Sequence, residues 1–403
     1  MRTYWNFSAA SEVLFGRASS QQIGTVLASL GFRTAFIVTD SILKTTGLID
    51  PIRVRLLEAG IAVSVFEGGM PEPSTDICTA AITAAQSAFG KPDCVIGIGG
   101  GSNLDVSKCC AAVLAHGGVP SDYFGENLVP GPIIPVIAVP TTAGTGSETT
   151  PIAVIEDTSR HLKLAISSFH LLPRLAIVDP LLTLSCPARV TAESGMDALT
   201  HAIESYTILD HGALPVPASQ RLSFPGNNPL SSTLAARAIQ LAAENLRDAV
   251  YQPHNIGARE GMSLAALLAG MAFANSGLSS VHALQYPLGA LTHTSHGLGN
   301  AILLPAVVEF LLPSNFSFFA EIAGWLGESV SGLSTTSAAQ SCVSALQKLK
   351  ADIGIPRGLS DIGIKESDIS AMAETAMTYQ RLVRCSPRPL DVAALTWILH
   401  RAM

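Results

Sequence analysis

Charged side chains are scarce in this 403-residue chain, in which Asp, Glu, Lys and Arg together make up 14% of the residues. The net charge is −7, and no run of lysines or arginines forms the basic patch that nucleic-acid binding requires. Hydrophobic residues make up 48%, which is enough to bury a large core, and the length predicts two or three domains. We therefore expect a globular protein that does not bind nucleic acid.

Features of exported or membrane-bound proteins are also few. The N-terminal sequence MRTYWNFSAASEVLFG does not have the basic and then apolar pattern of a signal peptide. The apolar segment MSLAALLAGMAFA, residues 262–274, is too short to cross a bilayer and predicts a buried helix. The seven cysteines include no CxxC pair, which argues against a disulfide framework and against zinc-finger spacing. A reducing, cytoplasmic location without membrane contact is expected.

The first half of the chain alternates short apolar, β-rich runs with helical stretches. Strand candidates are residues 34–39, 62–66, 94–99, 135–140 and 175–179. Between them lie segments such as residues 75–89, with Ala and Ile at helical spacing. This alternation predicts βαβ units and a mostly parallel sheet that is buried on both faces.

After about Pro187 the strand pattern stops, and Ala- and Leu-rich helical patterns follow. Helix candidates are residues 190–206, 232–250, 258–275, 316–326, 337–350 and 390–403. We therefore predict an α/β domain over residues 1–187 and an all-helical domain over residues 188–403. Residues 211–232 are rich in Pro, Gly, Ser and Asn and predict a long loop of the kind that often carries function.

The segment CVIGIGGGSNLDVSK, residues 94–108, passes from an apolar strand through glycines into a helix. Glycines let the backbone approach a diphosphate closely, and the first amides of a helix point at the anion. The pattern differs from the standard GxGxxG, and a tight strand-to-helix turn without a ligand would look the same. Alone, this segment therefore leaves phosphate binding open.

Two further strand ends favour a dinucleotide. PTTAGTGSE, residues 140–148, offers three threonine hydroxyls and two glycines to phosphate and ribose. Asp40 ends the strand TAFIVTD, where a carboxylate can accept hydrogen bonds from a ribose 2′-hydroxyl and repel a 2′-phosphate. Asp40 could equally cap a helix that begins with SILK. The three segments together predict a dinucleotide site.

A candidate metal site begins with Asp197 and His201 in GMDALTHAIESY. Four-residue spacing on a helix places both side chains on one face, about one turn apart, where they can bind one cation. By itself such a pair is often only a hydrogen bond. His282 and His296 complete a set of one carboxylate and three imidazoles, which suits a divalent ion and leaves room for a substrate oxygen.

The stretch between His282 and His296 contains YPLGALTHT. Pro287 and Gly289 within it are expected to break any helix. A break would let the chain fold back and bring the two histidines together.

Four motifs, GGGSNLDVSK, PTTAGTGSE, GMDALTHAIESY and VHALQYPLGALTHTSHG, occur in this order, and together they resemble the iron-containing (group III) alcohol dehydrogenase family. The resemblance covers nearly the whole chain, from FSAASEVLFG to the last helices. It implies a dehydroquinate synthase-like architecture: a Rossmann-like α/β domain that binds NAD(P), followed by an all-helical domain that holds the metal. In that family the active site lies in the cleft between the two domains.

The same resemblance implies roles for individual residues and a homodimer. The implied metal ligands are Asp197, His201, His282 and His296, with Fe²⁺ as the expected ion and Zn²⁺ as the alternative. The implied pyrophosphate-binding residues are Gly99, Gly100, Gly101 and Ser102. The residues implied to line the cofactor cleft are Thr141, Thr142 and Thr145. Asp40 would favour NAD over NADP, and Lys163, in HLKLAI, occupies a family position beside the cofactor.

Tyr286 is a departure from the family pattern. Standard primary-alcohol dehydrogenases of the family usually carry a histidine here, four residues after the third ligand, which is thought to relay the alcohol proton outward. A tyrosine, with an ordinary pKa near 10, is a poor base at neutral pH. Tyr286 would either take over part of that relay or pack over the cofactor. His293, three residues before His296, is a second candidate for the relay.

The Tyr286-Pro287 pair and the segment GNNPLSS also resemble the hydroxyacid–oxoacid transhydrogenase subgroup, and a YP pair occurs in phosphonoacetaldehyde reductase. We predict an NAD-dependent, Fe²⁺-dependent dehydrogenase that interconverts a small alcohol and its aldehyde or ketone by hydride transfer. Alternatives are a transhydrogenase, with Arg221 as a candidate cation for a substrate carboxylate, and a phosphonoacetaldehyde-type reductase.

Two further alternatives fit the motifs less well. A dehydroquinate synthase-like lyase would typically have a glutamate in place of Asp197 and would need basic residues for a substrate phosphate. A non-catalytic binding or filament-forming role would leave the ligand set without a purpose.

Overall fold

The computed structural model describes residues 3–160, 162–216 and 222–403, so Arg221 lies outside the described residues. The chain folds as two compact units. One spans Ser8–Cys186, and the other spans Pro187–Met403 together with the N-terminal segment that ends at Phe7. A parallel sheet in the first unit and helices in the second confirm the predicted fold class.

The first unit contains both strands and helices. Within its described residues the strands are β1 (Val13–Phe15), β2 (Thr34–Asp40), β3 (Ala62–Gly69), β4 (Cys94–Gly99), β5 (Gly125–Glu126), β6 (Val136–Pro140), β7 (Ile152–Asp157), β8 (Leu162–Ser167) and β9 (Leu175–Val178). Its α-helices are α1 (Ile23–Ser29), α2 (Ser41–Thr45), α3 (Asp50–Glu58), α4 (Thr75–Phe89) and α5 (Gly101–His116). Six strands form one sheet in the order β1-β9-β6-β4-β2-β3, with every pairing parallel.

The central strands of this sheet are buried on both faces. Every residue of β4 is buried, and along β2 the side chains alternate between two apolar clusters. Phe36 and Val38 belong to one cluster, whereas Ala35 and Ile37 belong to the other. Continuous apolar runs are therefore the expected strand signal here, because both faces of a parallel sheet pack against apolar layers.

A second, three-stranded sheet in the order β5-β8-β7 was not among the predicted strands. In it β7 and β8 are antiparallel, with Glu156 opposite Lys163. Charged residues at partly exposed positions interrupt the apolar pattern in both strands, which is why that pattern did not reveal them.

Beyond Pro187 the described residues form helices and no further strand. The α-helices are α6 (Ala188–Thr207), α7 (Pro229–Tyr251), α8 (Ile256–Ala274), α9 (Ser280–Thr292), α10 (His296–Leu311), α11 (Phe316–Trp325), α12 (Thr335–Asp352), α13 (Ile369–Met377), α14 (Gln380–Val383) and α15 (Val392–Ala402). Helix α6 packs against α7, α8 and α10, and α10 also packs against α9. This arrangement places the motif-bearing helices α6, α9 and α10 side by side.

The prediction that Pro287 and Gly289 break the helix was wrong. Helix α9 runs from Ser280 to Thr292 with Pro287 inside it, and its residues from Ser280 to Gly289 are all buried. Proline removes one helical hydrogen bond, but burial of ten consecutive residues stabilises the helix enough to retain the turn. The chain reverses only after Thr292, where His293 adopts a left-handed conformation with φ of 54°.

One described helical stretch, His296–Ser314, is long and apolar enough by length and composition to cross a membrane. However, 83% of that window is buried inside the protein. Its apolar residues therefore form part of the core of the helical unit, and the stretch begins at a candidate metal ligand.

Candidate metal centre and dinucleotide site

Four side chains converge in the helical unit, namely Asp197, His201, His282 and His296. Each offers one ligand atom, and these atoms all lie within 4.8 Å of one another. Asp197 Oδ1 lies 3.8 Å from His201 Nε2 and 3.8 Å from His296 Nε2. The structure thus brings together the four residues chosen from the sequence.

Each candidate ligand occupies a helical position that fixes the direction of its side chain. Asp197 and His201 share one face of α6, whereas His282 lies in the first turn of α9 and His296 is the first residue of α10. Gly297 lets α10 approach α6 closely, because a Cβ atom there would lie 2.3 Å from the carbonyl oxygen of Glu193. The HG pair of the motif therefore combines a ligand with a close helix contact.

Two of the imidazoles have a fixed tautomer. His282 Nδ1 lies 2.6 Å from Glu204 Oε2, and His296 Nδ1 lies 2.7 Å from Gln285 Oε1. Carboxylate and amide oxygens only accept, so Nδ1 of each ring must donate. The lone pair of a neutral imidazole is then on Nε2, the nitrogen that faces the cluster, and metal binding requires such an unprotonated nitrogen.

Asn300, one turn after His296 on α10, adds a donor at the same place. Its Nδ2 lies 2.7 Å from Asp197 Oδ1, 3.1 Å from His282 Nε2 and 3.2 Å from His296 Nε2. Burial raises the pKa of Asp197, but the positive charge that His201, His296 and His282 carry when protonated, together with the Asn300 hydrogen bond, outweighs burial and holds that pKa below its ordinary value. The carboxylate is therefore favoured in its ionised, metal-binding form.

Stacking holds the rings in place. The His201 ring stacks on Phe273 with centroids 4.5 Å apart and on His282 with centroids 4.8 Å apart. A set of one carboxylate and three imidazoles, of which only His296 is partly exposed, fits a divalent transition metal such as Fe²⁺ or Zn²⁺, since both accept nitrogen and oxygen donors. The residues present therefore suit the metal that the sequence motifs predict.

Tyr286 lies on α9, one turn after His282, and is 8% exposed. Its ring centroid is 6.3 Å from that of His296 and 4.8 Å from that of Tyr379. Burial and the neighbouring charge of Tyr286 raise the pKa of Tyr379 to about 12. His293 is exposed at the end of α9 and is not part of the four-residue cluster.

The glycine turn lies in the α/β unit, between β4 and α5. Gly99 has φ of 145°, and a Cβ atom there would lie 2.1 Å from Asn103 Nδ2. A Cβ atom on Gly101 would lie 2.7 Å from Thr145 Cγ2, so the threonine-rich segment packs directly on the turn. Gly100 provides no side-chain cap for α5, which leaves the first amides available to an anion.

Asp40 serves as the N-cap of α2, because Oδ1 accepts a hydrogen bond from Leu43 N at 2.9 Å. Its other oxygen, Oδ2, accepts from Asn103 Nδ2 at 2.8 Å. Strand β2 pairs with β4, so the carboxylate stands beside the glycine turn. The capping alternative is confirmed, and recognition of a ribose stays a prediction.

The remaining predicted cofactor residues lie around the same turn or on the small sheet. Thr141 N donates to Gly99 O at 3.0 Å, and Thr142 lies beside Gly100, 3.6 Å from a Cβ atom built there. Ser102 Oγ donates to a backbone oxygen, that of Pro71, at 2.5 Å. Lys163 lies on β8, with Nζ 2.5 Å from Glu72 Oε2.

Buried charges beneath the threonine-rich segment were missed from the sequence. Lys108 Nζ donates to Ser147 Oγ at 2.8 Å and to Ile152 O at 2.8 Å. Burial lowers the pKa of Lys108 to about 8 and raises that of Glu148 to about 7. A signal was present, because Asp105 and Lys108 are an acidic and a basic residue three positions apart in a helix that contains no other Asp, Glu, Lys or Arg.

Glu204, Gln285 and Asn300 were also missed. Glu204 follows Asp197 by seven residues, a spacing that returns to the same helix face and could have revealed it. Asn300 follows His296 by four residues in the same way. Nothing local marks Gln285, since its partner His296 lies on another helix.

Comparison with known proteins gives concordant results. Residues 10–180 match the model of the iron-containing alcohol dehydrogenase family, and residues 218–403 match that of the Fe-containing alcohol dehydrogenase family, C-terminal. The chain is 37% identical over 400 residues to the NAD-dependent methanol dehydrogenase of Bacillus methanolicus, covering 99% of this chain and 100% of the relative.

Two further relatives bear on the substrate. The chain is 33% identical over 417 residues to the mitochondrial hydroxyacid-oxoacid transhydrogenase of Pongo abelii, covering 96% of this chain and 88% of the relative. A crystal structure of a 1,3-propanediol oxidoreductase superposes with a TM-score of 0.92 at 37% identity, covering 99% of this chain and 100% of that one.

Proposed function

The chain belongs to the iron-containing alcohol dehydrogenase family, and we propose that it is an NAD-dependent enzyme that interconverts a small alcohol and its aldehyde or ketone. The observation that carries this proposal is the convergence of Asp197, His201, His282 and His296, whose ligand atoms lie within 4.8 Å of one another, with His296 partly exposed and the other three buried. When bound, a divalent ion would supply Lewis acidity toward the substrate oxygen, and NAD would accept the hydride.

The four ligands would hold the ion, Fe²⁺ in the first instance and Zn²⁺ as the alternative. Support comes from the Nδ1 hydrogen bonds of His282 and His296, which in each neutral ring leave the lone pair on Nε2, the nitrogen directed into the cluster. His201 is held by stacking between Phe273 and the His282 ring. A site whose rings are oriented in advance loses little freedom when an ion binds.

On the α/β unit, backbone amides at the start of α5 would bind the pyrophosphate of NAD. The residues proposed to surround the cofactor are Gly99, Gly100, Gly101, Ser102, Thr141, Thr142, Thr145 and Lys163. The Asp40 carboxylate would accept hydrogen bonds from the adenosine ribose and repel a 2′-phosphate, favouring NAD over NADP. Similarity to the NAD-dependent methanol dehydrogenase of Bacillus methanolicus supports this preference.

Tyr286 is proposed to contact the substrate side of the metal centre. It follows His282 by one turn of α9, and its ring lies 6.3 Å from the His296 ring. Its hydroxyl would donate and accept hydrogen bonds and so carry the alcohol proton outward. His293 is exposed at the end of α9, so we assign it at most a later step of the same proton path.

The test is a substrate panel on full-length protein reconstituted anaerobically with Fe²⁺. Methanol, longer linear alcohols, 1,3-propanediol, hydroxy acids and phosphonoacetaldehyde are each assayed with NAD(H) and NADP(H). We expect NAD-linked turnover of small alcohols, and we expect His282→Ala to lose bound metal and turnover together. Full activity in a metal-free variant would contradict the mechanism.

A second candidate is a hydroxyacid–oxoacid transhydrogenase, favoured by the relative of that name and by the Tyr286-Pro287 pair. In this reaction the bound cofactor would be reduced by a hydroxy acid and reoxidised by an oxo acid. It predicts turnover of mixed acids without added NAD.

A further inference from the structure

We infer that Glu204 is the positioning residue of the metal centre: one buried carboxylate both caps helix α9 and selects the nitrogen with which His282 binds the ion. Its Oε1 accepts from Val281 N at 2.7 Å, and its Oε2 accepts from His282 Nδ1 at 2.6 Å. Glu204 and His282 are each 2% exposed. The inference rests on the proposed metal-dependent function.

The capping role follows from the start of α9. The side chain of its N-cap residue, Ser279, accepts no hydrogen bond from a backbone amide of the first turn. The backbone amide of Val281 in that turn is instead bonded to Glu204, which comes from α6. A carboxylate at a helix N-terminus satisfies an otherwise unpaired amide and interacts favourably with the helix dipole.

The two bonds of Glu204 reach adjacent residues of α9, a backbone amide and the next side chain. Together they fix both the rotation of the first helical turn and the plane of the His282 ring. With Nδ1 donating to the carboxylate, Nε2 carries the lone pair and lies 3.1 Å from Asn300 Nδ2, within the ligand cluster. The direction of the metal-binding nitrogen is therefore set by a residue that cannot itself reach the ion.

Glu204 also connects the ligands on different helices. It lies on α6, seven residues after Asp197 and three after His201, on the face that carries both. One helix thus supplies two ligands and orients a third on α9. The 4.8 Å stacking of the His201 and His282 rings is the direct contact that this arrangement produces.

His296 provides an internal contrast. Its Nδ1 donates to the neutral amide oxygen of Gln285, whereas His282 donates to a carboxylate. A charged acceptor makes the stronger hydrogen bond and raises the basicity of the ring as a ligand. Loss of the Glu204 charge should therefore weaken metal binding more than loss of the Gln285 acceptor.

The decisive substitution is Glu204→Gln, which preserves the size of the side chain. A glutamine offers one acceptor oxygen for two donors. Either Val281 N–H is left without an acceptor, or the amide NH₂ faces His282 Nδ1 and drives the ring proton onto Nε2, where it blocks the ion. We expect affinity for Co²⁺ to fall by about tenfold to a hundredfold, measured by chelator competition on the full-length protein.

Ser205→Ala is the matched control. Ser205 is the residue next to Glu204 on α6, and its hydroxyl makes a buried 2.7 Å hydrogen bond with Ser276. The substitution removes that bond without changing a ligand or a partner of a ligand. This variant should lose stability but keep the wild-type affinity for Co²⁺. Equal losses of affinity in Ser205→Ala and Glu204→Gln would mean that Glu204 acts only through helix stability, and would overturn the inference.

The outcomes separate this inference from the function on which it rests. A wild-type protein that does not bind one Co²⁺ per chain would contradict the metal-dependent function itself. Wild-type binding with unchanged affinity in Glu204→Gln would contradict only the role of Glu204. Because that variant could fail to fold, ¹⁵N-histidine spectra of zinc-loaded wild-type protein give an independent test, with the His282 signals assigned by His282→Asn. We expect the proton on His282 Nδ1, and a proton on Nε2 would overturn the inference.

Discussion

Asn300 Nδ2 donates a 2.7 Å hydrogen bond to Asp197 Oδ1 and so links α10 to α6 inside the ligand cluster. Asn300→Asp would place a second carboxylate against that of Asp197. Two buried carboxylates repel unless a proton or a cation lies between them. We expect chelator-treated Asn300→Asp to be less stable than wild type by about 1–3 kcal/mol. We also expect added Co²⁺ to raise its melting temperature more than that of wild type, as measured by calorimetry.

Asn315→Asp is the control for this change. Asn315 is the N-cap of α11, where its side chain accepts from Phe318 N, and aspartate caps helices equally well. This variant should show the wild-type response to Co²⁺. If Asn300→Asp shows that response too, the carboxylates at residues 197 and 300 do not share the site.

Tyr286 offers a test of proton transfer. Tyr286→Phe removes only the hydroxyl, so the metal content should stay at the wild-type level while kcat falls by about a hundredfold, the lower end of what general acid–base groups contribute. Tyr286→His should retain activity, since imidazole titrates closer to neutral pH. Steady-state kinetics across pH, with metal analysis of each variant, provides the measurement.

Tyr379→Phe is the matched control for Tyr286→Phe. The two rings lie 4.8 Å apart, and each substitution removes only a phenolic hydroxyl. Burial, aided by the charge of Tyr286, raises the pKa of Tyr379 to about 12, which makes its hydroxyl unsuitable as a base near neutral pH. Its loss should leave kcat within about threefold of wild type, far less than a lost general acid–base group costs. An unchanged kcat in Tyr286→Phe would assign Tyr286 to packing alone.

Asp40 combines two roles that a pair of variants can separate. Asp40→Ser removes the charge but keeps a good N-cap for α2, whereas Asp40→Ala removes both. The measured quantity is kcat/KM with NADP divided by kcat/KM with NAD. We expect this ratio to rise by about tenfold or more in both variants, because repulsion of the 2′-phosphate is lost. Both variants lose the Asn103 hydrogen bond, but only Asp40→Ala also loses the cap, so it should be less stable than Asp40→Ser by about 1 kcal/mol. An unchanged ratio in Asp40→Ser would contradict ribose recognition by this residue.

Glu148 predicts a pH dependence of stability in the α/β unit. Burial raises its pKa from 4.5 to about 7, and the nearby Lys108 only partly offsets this rise. Between about pH 4.5 and pH 7, Glu148 is therefore protonated in the folded state and ionised in the unfolded state. The stabilisation from this proton is complete below about pH 4.5 and is lost as the pH rises through about 7.

Glu148→Gln should remove that dependence. The change in melting temperature caused by the substitution, variant minus wild type, should be more positive at pH 7.5 than at pH 5. Thermal denaturation of both proteins at both pH values gives the comparison. Glu58→Gln on the exposed surface of α3 is the control and should show equal shifts at the two values. A Glu148→Gln protein whose shift is the same at both values would contradict a protonated Glu148.

Local spacing in the sequence determined much of the fold and of the candidate site. The parallel strands were predictable because strands buried on both faces are continuous apolar runs, as in β4. The pair Asp197 and His201 was predictable because helix geometry alone places residues four apart on one face. The glycine turn was predictable because φ of 145° at Gly99 suits glycine and few other residues.

Only the tertiary structure determined the hydrogen bonds between residues that are far apart in the sequence. The bonds from Glu204 to His282 and from Asn300 to Asp197 connect residues 78 and 103 positions apart, and only helix packing brings such pairs together. Packing also maintains α9 through Pro287, against the local preference of proline, because the burial of ten consecutive residues outweighs one lost hydrogen bond. The choice of candidate ligands was thus a property of the sequence, whereas the direction of each imidazole and its hydrogen-bond partner depend on the packed helices.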